Sequence, residues 1–446
     1  MLWPDTFRRD DEGAIEIGGV SVSDLAREFG TPLYIYDETT LRAQARGIRQ
    51  AFSAVWPNSR VVYAGKALLS LAVVNVLHQE GIGLDVVSGG ELFAGLAAGV
   101  PASAMTFHGN NKSPDEIREA IDAGVGLIAI DNLPEIALVS RLASEAGVAV
   151  DVMLRLNPGI DTHTHDKIRT GHLDSKFGLP ITTGDAERGV IAALAAPGLI
   201  VRGYHAHVGS QLFDGAAYAM AAETLLAFAG EMRDRHGFVP DVISPGGGFG
   251  IAYETDQVAA AVEQWASGVA YAVRAGCERY GLPEPELIIE PGRSMVGRAG
   301  VALYTVGTIK EIRDVRTFIS VDGGMADNIR PTLYGATYHV ELANRAMTNA
   351  DQIPVTVAGK YCESGDILIE RTMLPPVEAG DLLALPATGA YCLAMASNYN
   401  LATRPAVVMV QDGEARLIRR RESYADLLIN EIPTLVSTGM TALDPG

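Results

Sequence analysis

The sequence predicts an α/β fold, a TIM-like (β/α)8 barrel followed by a second, C-terminal β-rich domain that also takes in the N-terminal strand. Three observations predict it. Short apolar runs recur between Val61 and Arg293 with helical patterns between them. The runs are continuously apolar rather than alternating, as strands of a parallel sheet covered on both faces must be. After Gly300 the pattern changes to short β-rich runs with frequent turns.

In chain order the barrel runs are Val61 to Lys66, Ile82 to Ser88, Ala104 to Asn110, Gly126 to Asn132, Val150 to Asn157, Ile200 to Gly209, Asp241 to Gly248 and Glu286 to Arg293. Eight strand–helix units is the count that closes a barrel, and chemistry in such barrels gathers at the C-terminal strand ends. Those ends carry Lys66, Asp85, His108, Asn110, Asp131, Arg155, His207, the run Gly246-Gly247-Gly248 and Glu290. Helix capping accounts for Asp131 and Asn132 but not for Lys66 or His207. Beyond the barrel, Val301 to Val306, Thr317 to Asp322, Val355 to Gly359, Leu382 to Leu385 and Ala406 to Val410 read as strands of a sheet or small barrel. Ile15-Glu16-Ile17 precedes a capped helix starting near Ser23 and is expected to pair with that sheet. Tyr34-Ile35-Tyr36 reads as the connection into the barrel. The boundaries are thus 1–32 for the N-terminal segment, 33–298 for the barrel and 299–446 for the β-rich domain.

Composition agrees with a soluble enzyme of two domains. The 446 residues exceed what one core normally organises, and a hydrophobic fraction of 48% suffices for two cores. No apolar run reaches the length of a membrane span, and the start at Met1-Leu2-Trp3-Pro4-Asp5 lacks a signal-peptide pattern, so no membrane partner and a cytoplasmic location are expected. Three cysteines without paired spacing read as reduced thiols. A net charge of -19 argues against nucleic acid as a partner.

The strand-end residues suit one cofactor. Pyridoxal phosphate needs an amine to hold its aldehyde, backbone N–H groups for its phosphate and a charged partner for its ring nitrogen. Lys66, the glycine run and Glu290 supply these in turn. Gly246, Gly247 and Gly248 lack Cβ atoms, so their N–H groups can approach an anion, and a helix beginning beyond them would add its dipole.

Longer motifs carry a resemblance. Tyr63-Ala64-Gly65-Lys66-Ala67, Leu84 to Leu92, Asp174-Ser175-Lys176-Phe177-Gly178, His205 to Gln211, Glu290-Pro291-Gly292-Arg293 and Cys362-Glu363-Ser364-Gly365-Asp366 resemble the group-IV, alanine-racemase-fold pyridoxal phosphate decarboxylases, within them the branch acting on meso-diaminopimelate. The resemblance runs from Pro32 to Tyr424 and departs from many relatives at Leu68, where they have asparagine. It implies that Lys66 carries the cofactor, Glu290 pairs with the ring nitrogen and His207 stacks on the ring. Racemases of the same barrel place an arginine at the ring nitrogen instead. The resemblance also implies that Ser210, Pro291, Gly292, Arg293 and Tyr391 close the phosphate pocket, with Asp85, Glu91 and Arg155 supporting Lys66. By the same resemblance Cys362 would act on the substrate from the neighbouring subunit of a homodimer, and Arg330, Tyr334, Glu363, Arg293 and Tyr391 would grip an amino-acid substrate.

Three competing readings follow from the same residues. His205 and His207, two apart on a strand, share a face as metal ligands do. A metal-dependent hydrolase nevertheless ranks low, because those enzymes carry the pair on the first strand and here it falls on the sixth; no metal is expected. A cofactor-binding protein without chemistry lacks the long second domain bearing Cys362 and Tyr391. A decarboxylase of ornithine or lysine would leave Arg330 without a distal carboxylate to bind, and a relative retuned to a D-amino acid stays open as an alternative. The polar loop from Gly159 to Asp174, with His163, His165 and His172, reads as a substrate gate; Cys277 fits a buried helical thiol, and Cys392 is left without a role.

Overall fold

The computed structural model describes residues 1–159, 175–213, 215–346 and 352–432. The chain divides into two compact units, one of residues 1–5, 38–299 and 389–394, the other of residues 6–37, 300–388 and 395–446. The Gly159 to Asp174 loop, with His163, His165 and His172, lies almost wholly outside the described residues.

The first unit is a closed parallel barrel. Its strands are Ser59–Ala64, Gly83–Val86, Met105–Phe107, Leu127–Ile130, Val150–Asn157, Leu199–His205, Val242–Gly246 and Glu286–Ile289. Each pairs in parallel with the next, and Leu287↔Ser59 closes the ring. A two-residue strand, Leu179–Pro180, adds to the fifth. Val62, Leu127, Ala129, Met153, Val242 and Ile288 from five strands fill the interior, so the barrel is a packed core with its chemistry confined to the rim.

Most strands stop short of the runs read from the sequence. The first ends at Ala64, the third at Phe107, the sixth at His205 and the eighth at Ile289. The residues beyond, Lys66, His108, His207 and Glu290, lie just past the strand ends, His108 and Glu290 still donating their N–H to Val86 O and Gly246 O of the neighbouring strands. Lys66 sits on the single 3-10 turn Gly65–Ala67. The helices between strands follow local signals: Pro114–Ala123 has a reciprocal Ser113/Glu116 capping box and ends on left-handed Gly124. Asn132 accepts from the Glu135 N–H at the start of Leu133–Ala146.

The second unit holds a sheet in the order Ile367–Leu374, Ile353–Ala358, Arg316–Val321, Gly300–Ile312, Leu33–Asp37, Ala406–Gln411 and Glu414–Arg419. This corrects the reading of Tyr34-Ile35-Tyr36 as a connection into the barrel. Leu33–Asp37 is wholly buried, antiparallel to Gly300–Ile312 and parallel to Ala406–Gln411. A short, fully buried and mostly apolar run with neighbours on both edges is what a central strand requires. The boundary drawn at residue 33 therefore falls at Glu38. Ile15–Ile17 forms a small sheet with Arg8–Arg9 and Val20–Ser21, and its Ile15 N–H donates to Ala343 O. Ser21 caps the following helix, Val22–Phe29. Among the described residues no helix is long and apolar enough to cross a membrane.

Candidate active site

The C-terminal rim of the barrel gathers buried ionisable groups around Glu290. Its Oε2 lies 3.0 Å from His205 Nε2, and its Oε1 accepts from Ser244 Oγ at 2.9 Å. His108 Nε2 stands 3.4 Å from Oε1 and 4.0 Å from Asp85 Oδ1. The two imidazoles meet edge to face at 4.7 Å. Burial alone would raise the Glu290 carboxyl, but His205 and His108 outweigh it and hold it well below the usual carboxylate range. His205 goes the other way: burial pushes it down to about 4, so it is neutral. Burial would also lower His108, yet Asp85 and Glu290 raise it. Asp85 is raised by burial, against the pull of His108.

The lysine side follows from the second strand. Glu91 accepts the Val87 N–H at 2.8 Å, and burial pushes its carboxyl up to about 7. Lys66 is exposed at the rim. Its charge helps hold His207 well below its ordinary value, after burial, which acts most strongly. His207 Nδ1 accepts the Gly247 N–H at 3.4 Å, so any proton on this neutral ring sits on Nε2. Because the sixth strand ends at His205, the two histidines have different partners, Glu290 for His205 and the Gly247 N–H for His207. Among the described residues the one cluster with metal-ligand spacing is His108, His205 and Glu290.

A second group of donors lies around Arg293. Its Nη2 donates to Ser210 Oγ at 3.0 Å and its Nη1 to Tyr253 OH, while its Nε is buried without a hydrogen bond. The guanidinium stacks on Tyr391 at 4.8 Å and Tyr253 at 5.7 Å. Tyr391 is held in left-handed backbone, φ 63°, by its N–H to Ala67 O at 2.8 Å. A non-glycine residue in that region costs about 1–3 kcal/mol and is retained where surroundings enforce it. A Cβ on Gly292 would stand 3.1 Å from Ala64 Cβ and 3.3 Å from Tyr391 OH, so Pro291-Gly292 passes close beneath.

The glycine run is built differently from the sequence reading. The helix after it starts at Val262, so no helix N-terminus stands at Gly248. Gly246 N–H donates to Ser244 Oγ, and Tyr218 OH donates to Gly247 O at 2.8 Å. A Cβ at 247 would meet Glu290 O at 1.8 Å, so close packing of this turn already demands glycine.

Arg330, Tyr334, Cys362 and Glu363 belong to the second unit. Thr332 Oγ1 donates to Gly365 O at 2.8 Å, tying the Arg330–Tyr334 turn to the Cys362 loop. Arg330 is buried and donates to Tyr338 OH. Cys362 is exposed, its N–H donating to Asn400 Oδ1 at 3.1 Å. Cys277 is buried in Val262–Tyr280, its thiol pushed up to about 11 by burial; Cys392 is also buried.

The donor set fits pyridoxal phosphate. An ionised carboxylate suits a protonated ring nitrogen, a guanidinium with hydroxyls suits a phosphate, and an exposed amine suits an aldehyde. Sequence reasoning did not find Ser244 or Tyr253. Ser244 had a signal: it is the lone hydroxyl in an otherwise apolar, fully buried strand, and such a group needs a partner.

Known proteins give this arrangement its class. Residues 38–297 match the pyridoxal binding domain of the pyridoxal-dependent decarboxylases. Diaminopimelate decarboxylase of Bacillus subtilis strain 168 is 47% identical over 97% of this chain and 98% of its own. That of Synechocystis is 47% identical over 96% of this chain and 92% of its own. The crystal structure of diaminopimelate decarboxylase from M. jannaschii in co-complex with L-lysine has a TM-score of 0.90 at 35% identity and covers 97% of this chain and 99% of its own. The chain belongs to the diaminopimelate decarboxylase family, whose cofactor is pyridoxal phosphate.

Proposed function

We propose that this chain decarboxylates meso-2,6-diaminopimelate to L-lysine and carbon dioxide, working as a homodimer. The observation that carries the reading is the likeness to the Bacillus subtilis relative, 47% identical over 98% of its length and therefore spanning both units. When bound, pyridoxal phosphate supplies an aldehyde for the substrate amine and a ring that accepts the electron pair left as carbon dioxide departs. Lys66 would hold the aldehyde end, Glu290 the ring nitrogen and His207 the ring face, with Asp85 behind Lys66. Ser210, Gly246, Gly247, Gly248, Pro291, Gly292, Arg293 and Tyr391 would hold the phosphate. Arg330 and Tyr334, with Glu363, Arg293 and Tyr391, would grip the distal amino-acid group, where arginine's fork suits a carboxylate. The Cys362 thiol, reaching in from the partner subunit, gives a proton to the carbon that lost its carboxylate and regains one from water. Reduced thiols and a small amino-acid substrate support a cytoplasmic location.

Carbon dioxide release from diaminopimelate isomers, L- and D-lysine, L- and D-ornithine and L-arginine tests the substrate. The meso isomer is expected to turn over fastest; faster ornithine or lysine turnover overturns the substrate assignment. Cys362→Ala is expected to keep its cofactor and lose about 10²–10⁴-fold in turnover, the usual weight of one proton donor. Mixing it with Lys66→Ala should restore part of the activity, because heterodimers hold one intact site. Verified heterodimers without restoration would mean that each site is built from one chain.

A further inference from the structure

The hydrogen bonds around Glu290 have a fixed direction. Gly246 N–H donates to Ser244 Oγ at 3.2 Å, so the hydroxyl's own hydrogen points to Glu290 Oε1, 2.9 Å away. On the other oxygen, His205 Nε2 stands at 3.0 Å while its Nδ1 is buried without a hydrogen bond. A neutral imidazole carries one hydrogen, and here Nε2 is the atom with an acceptor in reach. Both carboxylate oxygens therefore accept from a fixed donor, which favours the ionised form and leaves lone pairs free for a further donor. Ser244 is 0% and His205 1% exposed, so neither donor can be replaced by bulk water. His108, from beyond the third strand, adds an imidazole 3.4 Å from Oε1.

We propose that Ser244 and His205 are positioning residues that lock Glu290 as a rotationally fixed anion, one donor per oxygen, so that the cofactor's ring nitrogen stays protonated. The inference rests on the reading that Glu290 faces that nitrogen. The charged and titratable groups bearing on the cluster are Asp85, His108, Arg155 and Lys66. Asp85, Arg155 and Lys66 make no hydrogen bond to Glu290 and contribute field alone, while His108 stands 3.4 Å from Oε1 as a longer contact beside the Ser244 hydroxyl. The division of labour is consequently specific. Ser244 and His205 set direction and protonation; Asp85 and Arg155 alter strength only.

The test reads the ring nitrogen directly. Protein is reconstituted with pyridoxal phosphate carrying ¹⁵N in the ring, and the ¹⁵N shift is followed over roughly pH 6–9, the span in which such nitrogens and histidines titrate. The parent is expected to stay at the protonated position throughout. Ser244→Ala and His205→Ala should each lower the titration midpoint by about one unit or more. His205→Gln, whose amide nitrogen can reach the Nε2 position, should restore it, which a merely structural role would not produce. Glu290→Gln separates the two claims. If it leaves the ring protonated, Glu290 does not face the nitrogen and the underlying reading fails. If it deprotonates the ring while Ser244→Ala and His205→Ala titrate like the parent, this inference alone is overturned. Should His205→Ala not fold, Ser244→Ala decides, because it removes a single oxygen.

Discussion

Asp327 in the β-rich unit and Asp85 in the barrel are both enclosed carboxylates, yet their surroundings are opposite. Asp327 accepts from the Tyr34 and Tyr304 hydroxyls on one oxygen and from the Gly324 N–H on the other. Asp366, in the same unit, accepts the Met325 N–H at 2.6 Å and the Tyr361 N–H at 2.8 Å. In the barrel, Asp85 Oδ1 and Asp131 Oδ1 are buried without hydrogen bonds, and Arg155 stands 3.7 Å from the latter. The barrel can satisfy its charges where it needs to: Lys112 Nζ donates to Gly109 O, Ala129 O and Glu135 Oε1, all within 2.8 Å. Unsatisfied ionisable groups gather at the rim, although single buried polar atoms such as Asn328 Nδ2 and Tyr204 OH also lack a hydrogen bond elsewhere. Buried polar atoms normally find partners, so a cluster lacking them marks where a ligand is to supply them.

Three substitutions can break or sharpen that contrast. The largest effect is expected from Asp366→Ala, which strands two backbone donors under Gly324 and Gly359. It should lower stability to urea by roughly 2–4 kcal/mol. A loss well under that range would mean that water replaces the carboxylate and the loop is not anchored by it. Next is Asp327→Asn. Burial raises Asp327 from 3.8 to about 6. Between those values the unfolded chain has released its proton and the folded one has not, so stability falls as pH rises through the window and is level above it. The variant cannot ionise and lacks this slope. Relative to the parent its stability should improve by roughly 2–3 kcal/mol across the window, measured by urea unfolding at stepped pH. A pH-independent difference would place the strain elsewhere. The smallest effect is expected from Asp85→Asn in cofactor-free protein. Removing a buried carboxylate that lacks a hydrogen bond should raise stability by about 1 kcal/mol while lowering turnover of the loaded enzyme. A destabilised Asp85→Asn would show that Asp85, too, is a structural group.

Which parts were legible in the sequence depends on whether a local signal existed. The barrel was legible because its strands are continuous apolar runs, and Val150–Asn157 matches the run read from the sequence at both ends. Elsewhere the ends were overrun, since the residues that carry chemistry continue the run in sequence just past the last residue of the strand. Tyr34-Ile35-Tyr36 was misassigned because its sheet partners lie at Val301 and Val408, too distant for any local pattern to signal. Lys66 and Glu290 could be picked out by type and position. The direction of hydrogen bonding through Gly246, Ser244 and Glu290 could not, because it depends on how two neighbouring strands align. Ile367–Leu374 and Glu414–Arg419 went unread; both are half-exposed and carry charges that mask their apolar faces.

The central position of Leu33–Asp37 also bears on how the chain is made. Synthesis runs from the N-terminus, so this apolar segment leaves the ribosome long before either neighbour exists. Gly300–Ile312 comes only after the whole barrel, and Ala406–Gln411 later still. At the usual ~5–20 residues per second the wait is on the order of tens of seconds. For that time the nascent chain carries an apolar segment whose backbone groups on both edges are unpaired, the condition under which strands pair with other chains.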